Sequence, residues 1–381
     1  MNRKKSGMSG ALTLLALILV FIVAGCGAKS GNGNASPAAS SASASQAATA
    51  GSNSDSASPS AAESASSTAD PAKTTSYDGL TVRLGVQGKG GLFGKAQEEK
   101  WFENAFAEVG AKVEWIEFQS GPPMVEAMAS NHLDFAGMGN MPPIAAQAAG
   151  VDFKIVSQVL EGKNNVAIIV PKDSAIQTIA DLKGKKVAVT KGSNAYNFLY
   201  RVLANEGLKE SDLSVIQLQP DETQPSFEGG KVDAWAVWDP YITLNTLTGK
   251  ARVLADGESA GVLSPSYQLV RGEFAKKYPE LVTLYLKVLE QARLWEAGNK
   301  DEAYDRYAKE RSIPVDVVKG IQARSTYINI PVSDAVAAEQ QKTADFQFEL
   351  GTIRKQVKVA DVIDNTYIEE ALKQIQQDSQ K

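Results

Sequence analysis

The chain of 381 residues has one histidine and one cysteine. Those two scarcities exclude a good deal. His132 sits in the turn Ser130-Asn131-His132-Leu133, where a surface position is expected, and Cys26 lies near the start. A Ser-His-Asp or Cys-His arrangement and a zinc cluster of Cys and His therefore cannot be assembled, nor can an internal disulfide form. We expect no catalytic residues, no metal and no cofactor: the chain reads as a non-enzyme. The net charge is a mild −5 and no basic run is interleaved with aromatics, so a nucleic-acid face is not expected either. Lys183, Lys185 and Lys186 surround a Gly ahead of a strand and read as a solvated turn. Gln87-Gly88-Lys89-Gly90-Gly91 lacks the Gly-Lys-Ser/Thr ending of a phosphate loop.

What the first residues do contain is a targeting pattern. Arg3, Lys4 and Lys5 precede an apolar run of about fourteen residues, Ala11 to Ala24. That is short for a membrane-spanning helix, which needs roughly 20, and suits a signal peptide over 1–25. Val23-Ala24-Gly25-Cys26 resembles a bacterial lipobox, which makes Cys26 the expected lipidation site and anchors the chain to the outer face of a membrane, periplasmic or extracellular. The stretch 28–76 has no aromatic, Leu, Ile or Val. It cannot bury enough apolar surface to offset the entropy of ordering, so 26–76 is expected to be a lipidated tether.

From Tyr77 strands and helices alternate, the pattern of an α/β protein. Expected strands are 81–86, 112–118, 134–138, 166–170, 186–190, 214–218, 234–238, 251–255 and 267–270. A helix is expected over 95–109 with Trp101, Phe102 and Phe106 on one face; others begin near Pro122, Pro142, Ala195 and Thr223, and a long one spans 278–297. The stretch Ala234-Trp235-Ala236-Val237-Trp238 is apolar on both faces, as in a buried parallel strand; Asp239 suits a helix N-cap and Pro240 the first helical position. The interval Asp134 to Asn140 repeats as Asp233 to Asp239, a hint of two similar lobes. We expect lobe 1 over 77–168 and 266–381 and lobe 2 over 169–265, joined by short crossing strands.

Strand-to-helix junctions at the carboxyl ends of strands are where ligands sit in open α/β sheets. Three carry Gly beside a small polar residue at a helix start: Ser120-Gly121, Gly139-Asn140 and Gly192-Ser193-Asn194. Free N–H groups and the helix dipole make such points anion sites when several converge. Trp238 and Tyr241 would clasp an apolar part of the ligand, and Trp235 is expected in the core. Asp239 either caps its helix or receives a cationic group. Because the junctions lack Arg, the anion is expected to be held by neutral donors.

From about Leu80 to Asp361 the chain resembles the solute-binding proteins of bacterial ABC importers, in the aliphatic sulfonate, taurine and nitrate group. The resemblance rests on Phe118-Gln119-Ser120-Gly121-Pro122-Pro123, Gly139-Asn140-Met141-Pro142-Pro143-Ile144, Asp181-Leu182-Lys183-Gly184-Lys185-Lys186-Val187-Ala188, Lys191-Gly192-Ser193-Asn194 and Val232 to Tyr241. It implies a two-lobe periplasmic-binding fold (type II), each lobe a mixed sheet flanked by helices, with a small organic anion, a sulfonate above others, in the interlobe cleft. By position in the motifs, Gln87, Ser120, Gly121, Pro122, Asn140, Met141, Gly192, Ser193, Asn194, Trp238, Asp239 and Tyr241 would bind it. The implied partners are an ABC permease and its ATPase, with the chain itself a monomer. Nitrate or taurine binding, a non-transport sensor and a protein like the pyrimidine-forming relatives of thiamine synthesis are the alternatives.

Overall fold

The computed structural model describes residues 76–88 and 91–380. The expected signal peptide over 1–25, the lipidation site Cys26 and all of the tether but Ser76 lie outside the described residues.

The chain lays down β1 (Thr81–Gln87), β2 (Lys112–Phe118), β3 (Phe135–Gly139) and β4 (Phe153–Leu160), then crosses to β5 (Val166–Pro171), β6 (Lys186–Val189), β7 (Ser214–Gln217), β8 (Ala234–Trp238) and β9 (Ala251–Asp256). It returns as β10 (Ser266–Arg271) and adds β11 (Tyr327–Ile330). Two sheets result, ordered β11-β4-β10-β3-β1-β2 and β7-β6-β8-β5-β9. In the first, β2, β1 and β3 are parallel, and β10 runs antiparallel to both β3 and β4, so that β4 points the same way as β3 and β11 runs against it. In the second, β7, β6 and β8 are parallel, and β5 runs antiparallel to both β8 and β9, so that β9 points the same way as β8. The two lobes thus share one strand plan.

The short sequence repeat has a structural meaning. Asp134 Oδ2 accepts from Arg83 N at 2.9 Å while Asp134 N donates to Arg83 O. Asp233 Oδ2 accepts from Lys186 N at 2.8 Å while Asp233 N donates to Lys186 O. Each aspartate therefore fixes the register of the central parallel pair in its own sheet, five residues ahead of a ligand-facing strand end.

Helices flank both sheets: α1 (Gly94–Glu98), α2 (Trp101–Ala107), α3 (Gly121–Ala129), α4 (Met141–Ala149), α5 (Asn194–Asn205), α6 (Pro220–Glu228), α7 (Tyr241–Leu247) and α8 (Gly257–Ala260). After β10 follow α9 (Gly272–Lys277), α10 (Pro279–Gly298), α11 (Lys300–Arg311), α12 (Val315–Arg324), α13 (Asp334–Glu349) and α14 (Thr366–Asp378). Phe102, Phe106, Phe135 and Tyr285 centre one core, with Phe135 and Tyr285 stacked at 4.2 Å. Trp235, buried between Phe227 and Tyr241, holds another in the second lobe.

Three expectations need correction. The single helix over 95–109 is two, because Lys100 adopts φ 57° and turns the chain between α1 and α2. The boundary between 168 and 169 would cut β5, whose residues from Val166 on pair with β8; the chain passes between sheets over 161–165. Nor does 266–381 keep to lobe 1. On α13, Gln340 Nε2 donates to Asn140 O in the first lobe at 2.7 Å, and Gln347 Nε2 to Asn197 Oδ1 in the second at 2.9 Å.

Candidate ligand-binding cleft

The carboxyl ends of β1, β2 and β3 and those of β6 and β8 face a common cleft of about 430 Å³. Seven of the sequence-selected residues line it: Gln87, Gly121, Ser193, Asn194, Trp238, Asp239 and Tyr241. Gln87 Nε2 donates to Gly137 O at 2.9 Å, tying β1 to β3 at the rim. Ser193 caps α5: its Oγ accepts from Tyr196 N at 3.1 Å and donates to Thr190 O at 2.8 Å. The Ser193 hydroxyl is thereby committed to its own helix, which leaves the α5 terminus and the Asn194 amide as what this turn offers a ligand.

Ser120, Pro122, Asn140, Met141 and Gly192 are not among the lining residues. Ser120 Oγ instead donates to Gln219 Oε1 of the second lobe at 3.0 Å. Pro122 faces Gly192 across the lobes, where a Cβ on Gly192 would come 3.7 Å from Pro122 Cγ. Met141 is buried with Ile144, Ala344 and Ile353. Asn140 is buried with its carbonyl held by Gln340, and its side-chain amide has no partner among the described residues. These five form the seam where the lobes and α13 meet.

Asp239 has a structural role on both oxygens. Oδ1 accepts from Thr243 N at 2.9 Å and Thr243 Oγ1 at 2.7 Å, capping α7. Oδ2 lies 3.3 Å from Arg324 Nε. Burial raises its pKa, and the Thr243 hydrogen bonds and Arg324 oppose that rise. Pro240 precedes α7 and is not its first residue.

The largest addition to the expected site comes from the C-terminal helices. Tyr307, Arg311, Ile321, Gln322, Ser325 and Tyr327 all line the cleft. Arg311 Nη2 donates to Gln87 O at 2.9 Å, and its guanidinium lies 5.8 Å from the centre of the Tyr307 ring. Gly88 makes room for it: at φ 72° a side chain is disfavoured, and a Cβ there would fall 2.6 Å from Arg311 Nη2. Burial pushes the Tyr307 phenol up to about 12 and raises Tyr241, with Arg311 opposing both rises. Both phenols are therefore protonated donors at neutral pH, grouped about a guanidinium. The expectation of a site without Arg fails here. Arg311 reaches the strand ends from more than two hundred residues away, and only the spacing Tyr307-x-x-x-Arg311, one face of a helix, hinted at it.

Residues 95–303 match the NMT1/THI5 like family. A relative from Bacillus subtilis, named as an aliphatic sulfonates-binding protein, is 43% identical over 77% of this chain and 88% of its own length. The chain belongs to the NMT1/THI5-like family, beside relatives named for binding aliphatic sulfonates. The solved alkanesulfonate-binding protein SsuA from Xanthomonas axonopodis pv. citri, bound to MOPS, is 34% identical at a TM-score of 0.70, over 75% of this chain and 99% of that one. These likenesses carry the two-lobe periplasmic-binding fold. A desulfurization enzyme, 15% identical with a TM-score of 0.58 over 77% of this chain and 99% of its own, shares the fold alone.

Proposed function

We propose that this chain is the extracytoplasmic solute-binding subunit of an ABC importer and captures an organic sulfonate by closure of its lobes. Arg311, set among Tyr241, Tyr307 and Tyr327 at the mouth of the parallel strands, is the observation that carries the reading. A guanidinium offers several donors in a plane, suited to an oxyanion, and helix termini at Gly121 and Asn194 add partial positive charge. Trp238 and Phe118 supply apolar wall. The size of the cleft favours an organic anion over nitrate: about 430 Å³ is roughly fourteen waters' worth of space, most of which nitrate would leave filled with solvent. Among the described residues two carboxylates line the cleft: Asp239 is engaged with Thr243 and Arg324, and Glu117 stands exposed at the end of β2 as the one that taurine's ammonium would have to use. The named binding of the Bacillus subtilis and Xanthomonas relatives supports the same ligand class.

In this reading the protein binds and does not catalyse. Its one histidine is exposed in the turn before β3, outside the cleft. Lipid attachment at Cys26, the tether and delivery to a permease and ATPase complete the proposal, with the chain acting as a monomer. Calorimetry on the full-length chain in detergent tests it. Alkanesulfonates should bind and nitrate should not, and Arg311→Ala should weaken sulfonate binding by about tenfold to a hundredfold. Undiminished binding in that variant would refute the assignment of Arg311.

A further inference from the structure

The helix pair α11 and α12 stands between the lobes, and its two seams differ in kind. Toward the second lobe the seam is apolar. Tyr307, Ala308, Val317, Val318 and Ile321 form a small core that also takes in Leu244 of α7. Gly320 lets α12 approach α7, since a Cβ there would fall 2.6 Å from Thr243 Cγ2 and 3.1 Å from Leu247 Cδ1. Arg324, at the end of α12, faces Asp239 at 3.3 Å and donates to Asn164 O in the crossing between the sheets at 2.7 Å.

Toward the first lobe the contacts are chiefly polar. Lys95 pairs with Glu302 at 3.1 Å, Arg306 Nη2 donates to Gly91 O at 3.3 Å, and Arg311 Nη2 donates to Gln87 O at 2.9 Å. The chain links on this side leave room for rotation. Gly298 ends α10 with nothing within 4 Å of where its Cβ would be, Asn299 alone separates it from α11, and Ser325 leaves α12 in extended backbone.

Water replaces the lost partner of a broken hydrogen bond, whereas parting an apolar seam exposes its whole area. The polar seam is therefore the one that opens. We propose that α11 and α12 move with the second lobe, although the chain enters and leaves them from the first, and that Gly320 is the positioning residue that seats them. Arg311 then leaves Gln87 when the lobes part and returns to the end of β1 on closure. The consequence for the ligand rests on the reading of Arg311 as its anion contact. An anion at the strand ends of the first lobe gains the guanidinium only as the second lobe arrives, so its charge favours the closed form.

Distances between pairs of spin labels test the motion in the full-length chain in detergent, with Cys26→Ser to remove the native thiol. Labels are attached through Lys112→Cys in the first lobe, Lys231→Cys in the second and Lys319→Cys on α12, all at exposed positions. Gly139→Ala parts the lobes without any ligand, because its Cβ would lie 2.7 Å from Asn194 Cβ. In that variant the distances from 112 to 231 and from 112 to 319 should lengthen together while 231 to 319 holds. Lengthening of 231 to 319 with 112 to 319 unchanged would assign the helix pair to the first lobe and overturn the proposal, as would constancy of all three distances. These outcomes stand whether or not sulfonates bind. In calorimetry Gly320→Val, which unseats α12 from α7, should weaken alkanesulfonate binding by about tenfold. Unchanged affinity would overturn the role of Gly320 in placing Arg311, and absence of binding by the parent chain would overturn the sulfonate reading alone.

Discussion

Asp239 shows how a residue that looks like a ligand contact is used up by the fold. Its carboxylate is 7% exposed, caps α7 through two hydrogen bonds to Thr243 and faces Arg324. Removing it deletes the cap and leaves the partly buried Arg324 guanidinium with Asn164 O and the more distant Asp256 carboxylate, 3.9 Å away. Asp239→Ala should therefore cost about 3 kcal/mol, read as a lower urea midpoint. Asp239→Asn keeps a capping oxygen and should cost less. If Asp239→Ala lost affinity for amine-bearing ligands with its urea midpoint unchanged, the carboxylate would be a ligand contact after all. Arg311 is the converse case, a residue in an ordinary charged helix tail, Lys309-Glu310-Arg311, that tertiary structure delivers to the strand ends beside Gln87.

At the scale of the element, α10 and α11 form a buried electrostatic layer behind the aromatic wall. Burial lifts the Glu296 carboxyl from 4.5 to about 7, with the Arg306 charge opposing the rise. Arg306 in turn reaches Gly91 O, on a residue that lines the cleft, at 3.3 Å, and pairs with Glu310. A pKa raised on folding means the folded state holds the proton more tightly than the unfolded chain. The associated stability is complete below about pH 4.5 and is lost as pH rises through about 7. Glu296→Gln should remove that dependence. Its advantage in melting temperature over the parent should grow from about pH 5 to pH 8, amounting to on the order of 3 kcal/mol. Parallel pH profiles for the two proteins would show that Glu296 does not titrate in this range. The elements missed in the sequence fail for a related reason. β4 has Ser157 and Gln158 in its middle, both buried, so polar residues interrupt an otherwise apolar run. β11 is four residues long with buried Asn329. Both strands are held by neighbours in the sheet more than by their own pattern.

At the scale of the whole molecule, the lobes touch at a few close approaches. Gly139 ends β3 in the first lobe, and Asn194 opens α5 in the second. A Cβ on Gly139 would lie 2.7 Å from Asn194 Cβ, so a methyl there cannot fit without parting the lobes. The Gly139 φ is not in the left-handed region, so Gly139→Ala introduces contact and not backbone strain. It should lower ligand affinity about tenfold or more, because closure contributes the contacts of the second lobe, and should increase the radius of gyration of the liganded protein in solution scattering. Unchanged affinity would mean that closure is not coupled to this contact.

Residues near to one another in sequence settled much of this protein. Val82 to Val86, Val166 to Val170 and Ala234 to Trp238 declare strands because their apolar side chains recur without a helical period. Ser193 declares a helix start because its hydroxyl satisfies an N–H three residues on, and the spacing Asp134 to Asn140, repeated at Asp233 to Asp239, marks two lobes built on one plan. Tertiary structure decided which side of each turn faces the ligand. It set Ser120 and Pro122 in the lobe seam but Gly121 in the cleft, because a helix start turns successive residues in different directions. It alone brought α11 and α12 over the cleft, since Arg311 to Gln87 and Arg324 to Asn164 join residues more than 150 positions apart.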